Sequence, residues 1–228
     1  SEHCKHKIFA AAIDYEDTTT GETRTIDSLF KSYIMRATSD IRQRAAQNDI
    51  CLSVFKDNAG VVAFDDEVGL SFKVETHNSP SALDPYGGAI TGIVGVNRDP
   101  FGTGLGSDLL VNVWGYCFAS PFFDGELPRG LLHPRRVRDG VHEGVIDGGN
   151  QSGIPYARGF EVFDDRFIGK PLVYCGTASI MPRMLNGKPC HEKKVQVGDH
   201  IVMCGGRIGK DGIHGATFSS EELHEGSP

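Results

Sequence analysis

Glycine makes up 29 of the 228 residues, against an ordinary share of roughly 7%, and its placement constrains the fold more than any other feature. The glycines cluster at 87–88, 102–106, 148–149 and 205–215, with neither a collagen-like period nor a low-complexity repeat. Such clusters mark backbone that turns through positive φ or approaches a neighbour closely. They fit either many tight turns or loops around a phosphorylated ligand. The remaining composition, 39% hydrophobic and 23% charged, supplies a proper core and excludes wholesale disorder. The length suits one large domain or two small ones.

With 23 Lys and Arg against 30 Asp and Glu the formal net charge is -7. No segment is basic enough to track phosphates, so a dedicated nucleic-acid binder is not expected. The longest apolar stretch, 109–123, is interrupted by Asn112, Ser120 and Pro121 and is too short to span a bilayer. The six cysteines, at 4, 51, 117, 175, 190 and 204, form no C-x-x-C pair. Reduced, buried thiols in a cytoplasmic protein explain them better than a disulfide framework. The chain opens at Ser1 without an initiator Met, which leads us to expect processing or truncation.

Hydrophobic periodicity gives the elements. Leu29, Phe30, Tyr33, Ile34, Ala37, Ile41 and Ala45 form an i, i+3/i+4 stripe behind Asp27 as cap, predicting a helix over 28–47. Residues 51–55 and 61–64 read as a hairpin about the turn 57–60. Alternation over 69–76 predicts a strand running into His77 and Asn78. Residues 85–97 read as a glycine-rich helix packed closely on a sheet, and 109–118 as a buried strand. Val137, Val141 and Val145 predict a second helix ending at Gly148. Two strands are expected around Asp164 and Asp165, and a last one over 198–206. The strands 69–76 and 109–118 look apolar enough to be covered on both faces. The class is α+β, a mixed sheet with flanking helices, rather than a doubly wound fold.

The segment Lys73-Val-Glu-Thr-His-Asn-Ser-Pro-Ser ends a strand in a row of polar groups. A strand terminus holds such groups rigidly. Glu75 is a hard oxygen donor suited to Mg²⁺, Lys73 can meet a phosphate, and His77 can act as a base near neutral pH. The plainer possibility is that His77 and Asn78 satisfy a buried turn. Arg98 and Asp99, after the glycine helix, would pair a phosphate contact with a metal ligand. The loop from Gly205 to Ala216 sets Gly206, Gly209 and Gly212 beside Arg207, Lys210 and Asp211, and its backbone N–H groups can face phosphate oxygens. It is no Walker A loop, because the spacing is one residue short and Asp211 replaces the Ser/Thr. Gly102-Thr-Gly-Leu-Gly lacks dinucleotide spacing and reads as a mobile loop. His3, Cys4 and His6 lie close together, yet no second ligand pair follows at zinc spacing.

Ser1-Glu-His-Cys-Lys-His-Lys, Lys73-Val-Glu-Thr-His-Asn-Ser-Pro-Ser, Tyr86-Gly-Gly-Ala, Asn97-Arg-Asp, Gly148-Gly-Asn-Gln and Gly205-Gly-Arg-Ile-Gly-Lys-Asp-Gly-Ile-His-Gly-Ala occur in this order. The series resembles the synthetase-subunit family of phosphoribosylformylglycinamidine synthases, within the aminoimidazole ribonucleotide synthetase-like superfamily, over nearly the whole chain. The resemblance implies a ligase of purine biosynthesis that uses ATP and Mg²⁺ to phosphorylate the amide oxygen of formylglycinamide ribonucleotide. Ammonia from a separate glutaminase subunit or domain then displaces phosphate to give the amidine. By position it implies His3 as an active-site histidine and His77 as the proton acceptor. Glu75 and Asp99 fall at magnesium ligands, and Thr76, Asn78, Ser79 and Arg98 at substrate contacts. Lys73 and His6 fall at nucleotide contacts. Ser79 stands where the commoner motif has a second histidine, and His6 where many small-form members have tyrosine.

The fold so implied pairs its sheet across a homodimer or pseudo-dimer to form a barrel. We expect a synthetase-like N-terminal domain over 1–182 and a linker over 183–195. Residues 196–228 would begin a truncated C-terminal domain. The chain stops before acidic residues that the family also uses, so an isolated fragment of this kind is expected to be inactive. The rival expectation is a non-catalytic half that dimerises or holds a nucleotide structurally.

Overall fold

The computed structural model describes residues 9–207. A hairpin of β1 (Ile13–Asp17) and β2 (Glu22–Ile26) leads to a π-helical turn, Phe30–Met35, and then to α1 (Arg36–Ala45). The sheet comprises β3 (Cys51–Ser53), β4 (Gly60–Ala63), β5 (Val68–Thr76), β6 (Asp108–Phe118), β7 (Tyr156–Phe163) and β8 (Leu172–Pro182). Its order is β3-β4-β5-β8-β6-β7, antiparallel throughout except for the parallel pair β6 and β7. Between β5 and β6 the chain forms a short helix α2 (Asn78–Leu83) and then α3 (Pro85–Phe101), while α4 (Pro134–Ser152) connects β6 to β7. A small hairpin, β9 (Met184–Leu185) and β10 (Lys188–Pro189), follows the sheet. The expected α+β class and its helix-flanked mixed sheet are present. No helix among the described residues is long and apolar enough to cross a membrane.

One face of the sheet carries the core. Ala89, Ile93 and Val96 of α3 and Val137, Val141 and Val145 of α4 pack on Tyr116, Phe118, Val173 and Cys175. The four-residue spacing on each helix puts these side chains on one face. The two helices meet along small residues. A methyl on Gly144 would stand 2.5 Å from the Tyr86 carbonyl oxygen, and one on Gly148 would overlap the Ile93 side chain. On the other side of α3 a methyl on Gly88 would stand 2.5 Å from the Pro80 carbonyl carbon. Two of the glycine clusters thus lie inside helices rather than in loops: Gly88 lets backbone approach backbone, and Gly148 and Gly149 make room for the Ile93 and Tyr156 side chains.

That packing also corrects the end of the second helix. Gly148 and Gly149 are buried within α4, and the cap is Gly153, at φ 71°. The first helix is capped by Ser28 rather than Asp27. The Ser28 hydroxyl accepts the Lys31 N–H at 3.3 Å. Its stripe stays in solvent, with Tyr33, Ile34, Met35 and Ile41 all exposed. An edge contact of the Phe30 and Phe55 rings anchors its start. Residues 198–206 form no strand. Ile201, Val202 and Met203 are exposed there, and none of the described strands pairs with them.

The opposite face of the sheet is open. Along β5 the side chains of Phe72 and Val74 alternate with buried or half-buried neighbours, and on β7 those of Phe160 and Val162 do the same; all four are exposed. The Phe160 ring lies over Gly115, and the Phe72 ring reaches over Gly176. Strands expected to be covered twice are therefore covered once by the described residues. Of the described cysteines, 51, 117, 175, 190 and 204 are free thiols.

Candidate functional site

Alternation along β5 decides which polar residues meet. Side chains two apart share a face, so Lys73, Glu75 and the following His77 turn toward α3, while Thr76 turns to the open face and is exposed. The helix brings Arg98 and Asp99 down beside them at its last turn. The Lys73 ammonium stands 2.9 Å from Asp99 Oδ2 and also donates to the Asn58 carbonyl at 3.0 Å. Gly95 lets the helix pass over Glu75: a methyl there would stand 3.4 Å from Glu75 Oε2 and 3.6 Å from Arg98 Nη2. Two carboxylates and two cations therefore share one patch.

Electrostatics within the patch follow from this crowding. Burial and the neighbouring Asp99 charge raise the Glu75 carboxyl above its ordinary range, and Lys73 and Arg98 oppose the shift. Glu75 and Asp99 form a half-buried, mutually repelling pair, which a divalent cation would relieve. Among the described residues no group of three or more His, Cys, Asp or Glu could enclose a metal. Two carboxylates fit a hard cation whose octahedron is completed by phosphates and waters. With Lys73 and Arg98 alongside, the donor set suits a phosphate-bound Mg²⁺.

The next three residues turn inward. His77 is buried at 5% exposure, its N–H donates to Val173 O at 2.9 Å, and its Nδ1 meets the Gly88 carbonyl. With its Nδ1 proton given to that carbonyl, the basic nitrogen of the ring is Nε2. Asn78 is buried too, and its Oδ1 accepts the Val173 N–H at 2.6 Å. Ser79 lies buried at the start of α2. His77 and Asn78 pin the end of β5 to β8 and α3, and all three residues are more buried than the charged patch. Gly206 lies in an exposed bend, whereas His3, His6, Gly209 and Gly212 fall outside the described residues.

Sequence reasoning missed three contributors. Asn58 lends its carbonyl to Lys73, Gly95 clears space above Glu75, and the loop after α3 is fixed rather than mobile. Thr103 is fully buried and donates to Asp99 O at 2.8 Å, and Gly104 N–H reaches Asp57 Oδ2 at 2.9 Å. The turn residues Asp57 to Gly60 were the available signal, since such a turn beside a strand can offer free carbonyls.

Comparison with known proteins finds relatives over most of the chain. The phosphoribosylformylglycinamidine synthase subunit PurL of Thermoplasma acidophilum is 38% identical over 181 residues, covering 78% of this chain and 22% of its own length. The PurL subunit of Thermotoga maritima is 37% identical over 169 residues, covering 74% of this chain and 24% of its own. A crystal structure of phosphoribosylformylglycinamidine synthase II from Thermotoga maritima superposes with a TM-score of 0.48 at 29% identity, over 67% of this chain and 21% of that one. The chain therefore spans between a fifth and a quarter of the length of the curated relatives it matches. The family described as AIR synthase related protein, N-terminal domain, matches residues 56–181, more than half of the chain and every residue of the charged patch, and the chain belongs to that family.

Proposed function

We propose that this chain supplies the nucleotide- and metal-facing part of a phosphoribosylformylglycinamidine synthase, the activity after which its PurL relatives are named. The observation that carries the proposal is the convergence of Lys73, Glu75, Arg98 and Asp99 from β5 and α3 on one patch. In the proposed reaction ATP phosphorylates the amide oxygen of formylglycinamide ribonucleotide, and glutaminase-derived ammonia attacks the amide carbon. Phosphate then leaves, giving the amidine, ADP and phosphate. Phosphorylation is needed because an amide oxygen is a poor leaving group.

In this reading Lys73 and Arg98 meet phosphate oxygens, and Glu75 and Asp99 hold Mg²⁺. Bound there, the ion would offset charge on the transferring phosphoryl group. His77 would accept a proton at Nε2, the nitrogen that the Gly88 contact leaves basic. Arg98, exposed at the end of α3, is the residue of the patch best placed to follow a substrate.

Residues 196–228 would begin a second domain that closes the nucleotide cleft. The exposed Val195, Val197, Ile201 and Val202 support this, being apolar side chains that the described domain does not cover. Alone, with ATP, Mg²⁺, an ammonium salt and formylglycinamide ribonucleotide, the chain is expected to form no amidine above background. Grafted in place of the matching segment of Thermotoga maritima PurL, it is expected to support ammonia-dependent turnover. A folded, soluble and silent graft would refute the function, and steady turnover by the chain alone would refute the need for a second domain.

The open face of the sheet is the surface we assign to a second copy or pseudo-copy, closing a barrel. Phe72, Val74, Phe160 and Val162 give it an apolar centre, and apolar patches of this kind mark association surfaces. Sedimentation is expected to show a dimer at micromolar concentration, and Phe72→Lys combined with Val162→Lys a monomer. A wild-type chain that stays monomeric there would remove the assignment.

A further inference from the structure

Residues 183–195 carry the signature of a joint in the sequence, yet the fold fastens this stretch beside the charged patch. The β9 and β10 hairpin turns the chain back, so that Cys190 is buried against Val61 and Met181. Cys190 N–H donates to Arg183 O at 3.0 Å, and Cys190 O accepts the Leu105 N–H at 2.8 Å. Three residues later the Lys193 ammonium reaches both Asp57 Oδ1 and the Gly102 carbonyl.

Asp57 is the hub of this contact. Its side chain is only 8% exposed, and it also accepts the N–H groups of Asn58 at 2.7 Å and Gly104 at 2.9 Å. Burial pushes its carboxyl up, but Lys193 and these two N–H groups outweigh burial and hold it below the ordinary range.

The two groups that Lys193 fastens adjoin the two supports of the Lys73–Asp99 pair. Asn58, next to Asp57, gives its carbonyl to Lys73. Gly102 caps α3, donating its N–H to the carbonyls of Arg98 at 3.0 Å and Asp99 at 3.1 Å. An ammonium with three donors suits such a junction between a carboxylate and a carbonyl. Outer contacts of this kind orient the groups that do the chemistry.

We propose that Lys193 is a positioning residue: by joining the Asp57 turn to the cap of α3, it sets where Lys73 and Asp99 stand. What this does for turnover rests on the function proposed above; the positioning itself does not.

The test is reductive methylation of the full 228-residue chain, with the rate at each lysine read by peptide mass spectrometry. In Lys193→Met the Lys73 amine is expected to label about fivefold faster, the factor that one net hydrogen bond of about 1 kcal/mol supplies. Lys193→Arg can serve both acceptors and is expected to restore the wild-type rate. Lys188, on the small hairpin, serves as the internal reference. Should loss of the amine leave Asp57 too poorly compensated to fold, the pair Lys193→Met with Asp57→Asn removes both charges and is expected to give the same acceleration at Lys73. An unchanged Lys73 rate in either folded variant overturns the proposal, as does equal acceleration of every lysine. Because no turnover is measured, a failed functional assignment and a failed positioning role give different results.

Discussion

If the proposed function holds, Glu75→Gln and Asp99→Asn are each expected to lower turnover of the complete enzyme by on the order of a hundredfold or more, because in that reading each removes a charged oxygen ligand from the metal that would serve phosphoryl transfer. Asp66→Asn, whose side chain is fully exposed beside Arg183, is the control and should leave turnover unchanged. Near-normal turnover and Mg²⁺ dependence in both variants would dismiss the metal role. The same substitution has a second signature that needs no activity. Burial and Asp99 raise the folded Glu75 carboxyl above its ordinary range, so the ionised form costs stability as the pH rises past the unfolded value, in full above the raised one. Below the unfolded value the group is protonated in both states and the cost is absent. Glu75→Gln is thus expected to melt a few degrees higher than wild type near pH 8 without metal, and at the same temperature below about pH 4. Equal melting at both pH values would show that the pair is not in conflict.

Gly144→Ala should damage the helix pair at the centre of the core. Alanine is intrinsically better in a helix than glycine by about 1 kcal/mol, so an exposed position would gain from it. Here the added methyl stands 2.5 Å from the Tyr86 carbonyl oxygen and 3.2 Å from the Ile90 nitrogen, both backbone atoms that no rotamer change can move. The helices must separate, and overpacking of this kind costs about 1–3 kcal/mol even after propensity is credited. For a domain of this size the melting temperature should fall by roughly 4–10 °C. Gly169→Ala, with nothing within 4 Å of the new methyl, should stay within about 0.5 kcal/mol of wild type. A Gly144→Ala protein as stable as wild type would mean that α3 and α4 do not touch through these glycines.

Local pattern made some of this legible in the sequence and left the rest hidden. The valines of α4 and the alternation of β5 are repeats with a short period, so both elements were readable, as was the meeting of Lys73 with Glu75 on one face. Composition alone did not separate a glycine that turns from one that makes room: Gly148 looked like a cap and is a contact with Ile93. The apolar residues after His200 read as a strand because a strand's sequence carries no mark of whether its partner is at hand. The stripe on α1 was found correctly, yet the same pattern serves a core or an unfilled surface. Least visible was Lys193, whose carboxylate partner lies 136 residues away and whose local context is merely polar. The inward turn of Asn78 was equally hidden, since its partner, the Val173 N–H, is 95 residues distant.

The glycine contact between α3 and α4 also has a kinetic side. Helices that meet backbone to backbone screen each other's amide groups from solvent, and a unit so joined opens as one. Asp99 and Arg98 ride on α3, and Glu75 lies beneath it. Amide exchange in these two helices should therefore be among the slowest in the chain, and the charged patch should keep its shape through every fluctuation short of global unfolding. In the proposed function, motion that admits and releases a nucleotide would then come from outside this helix pair.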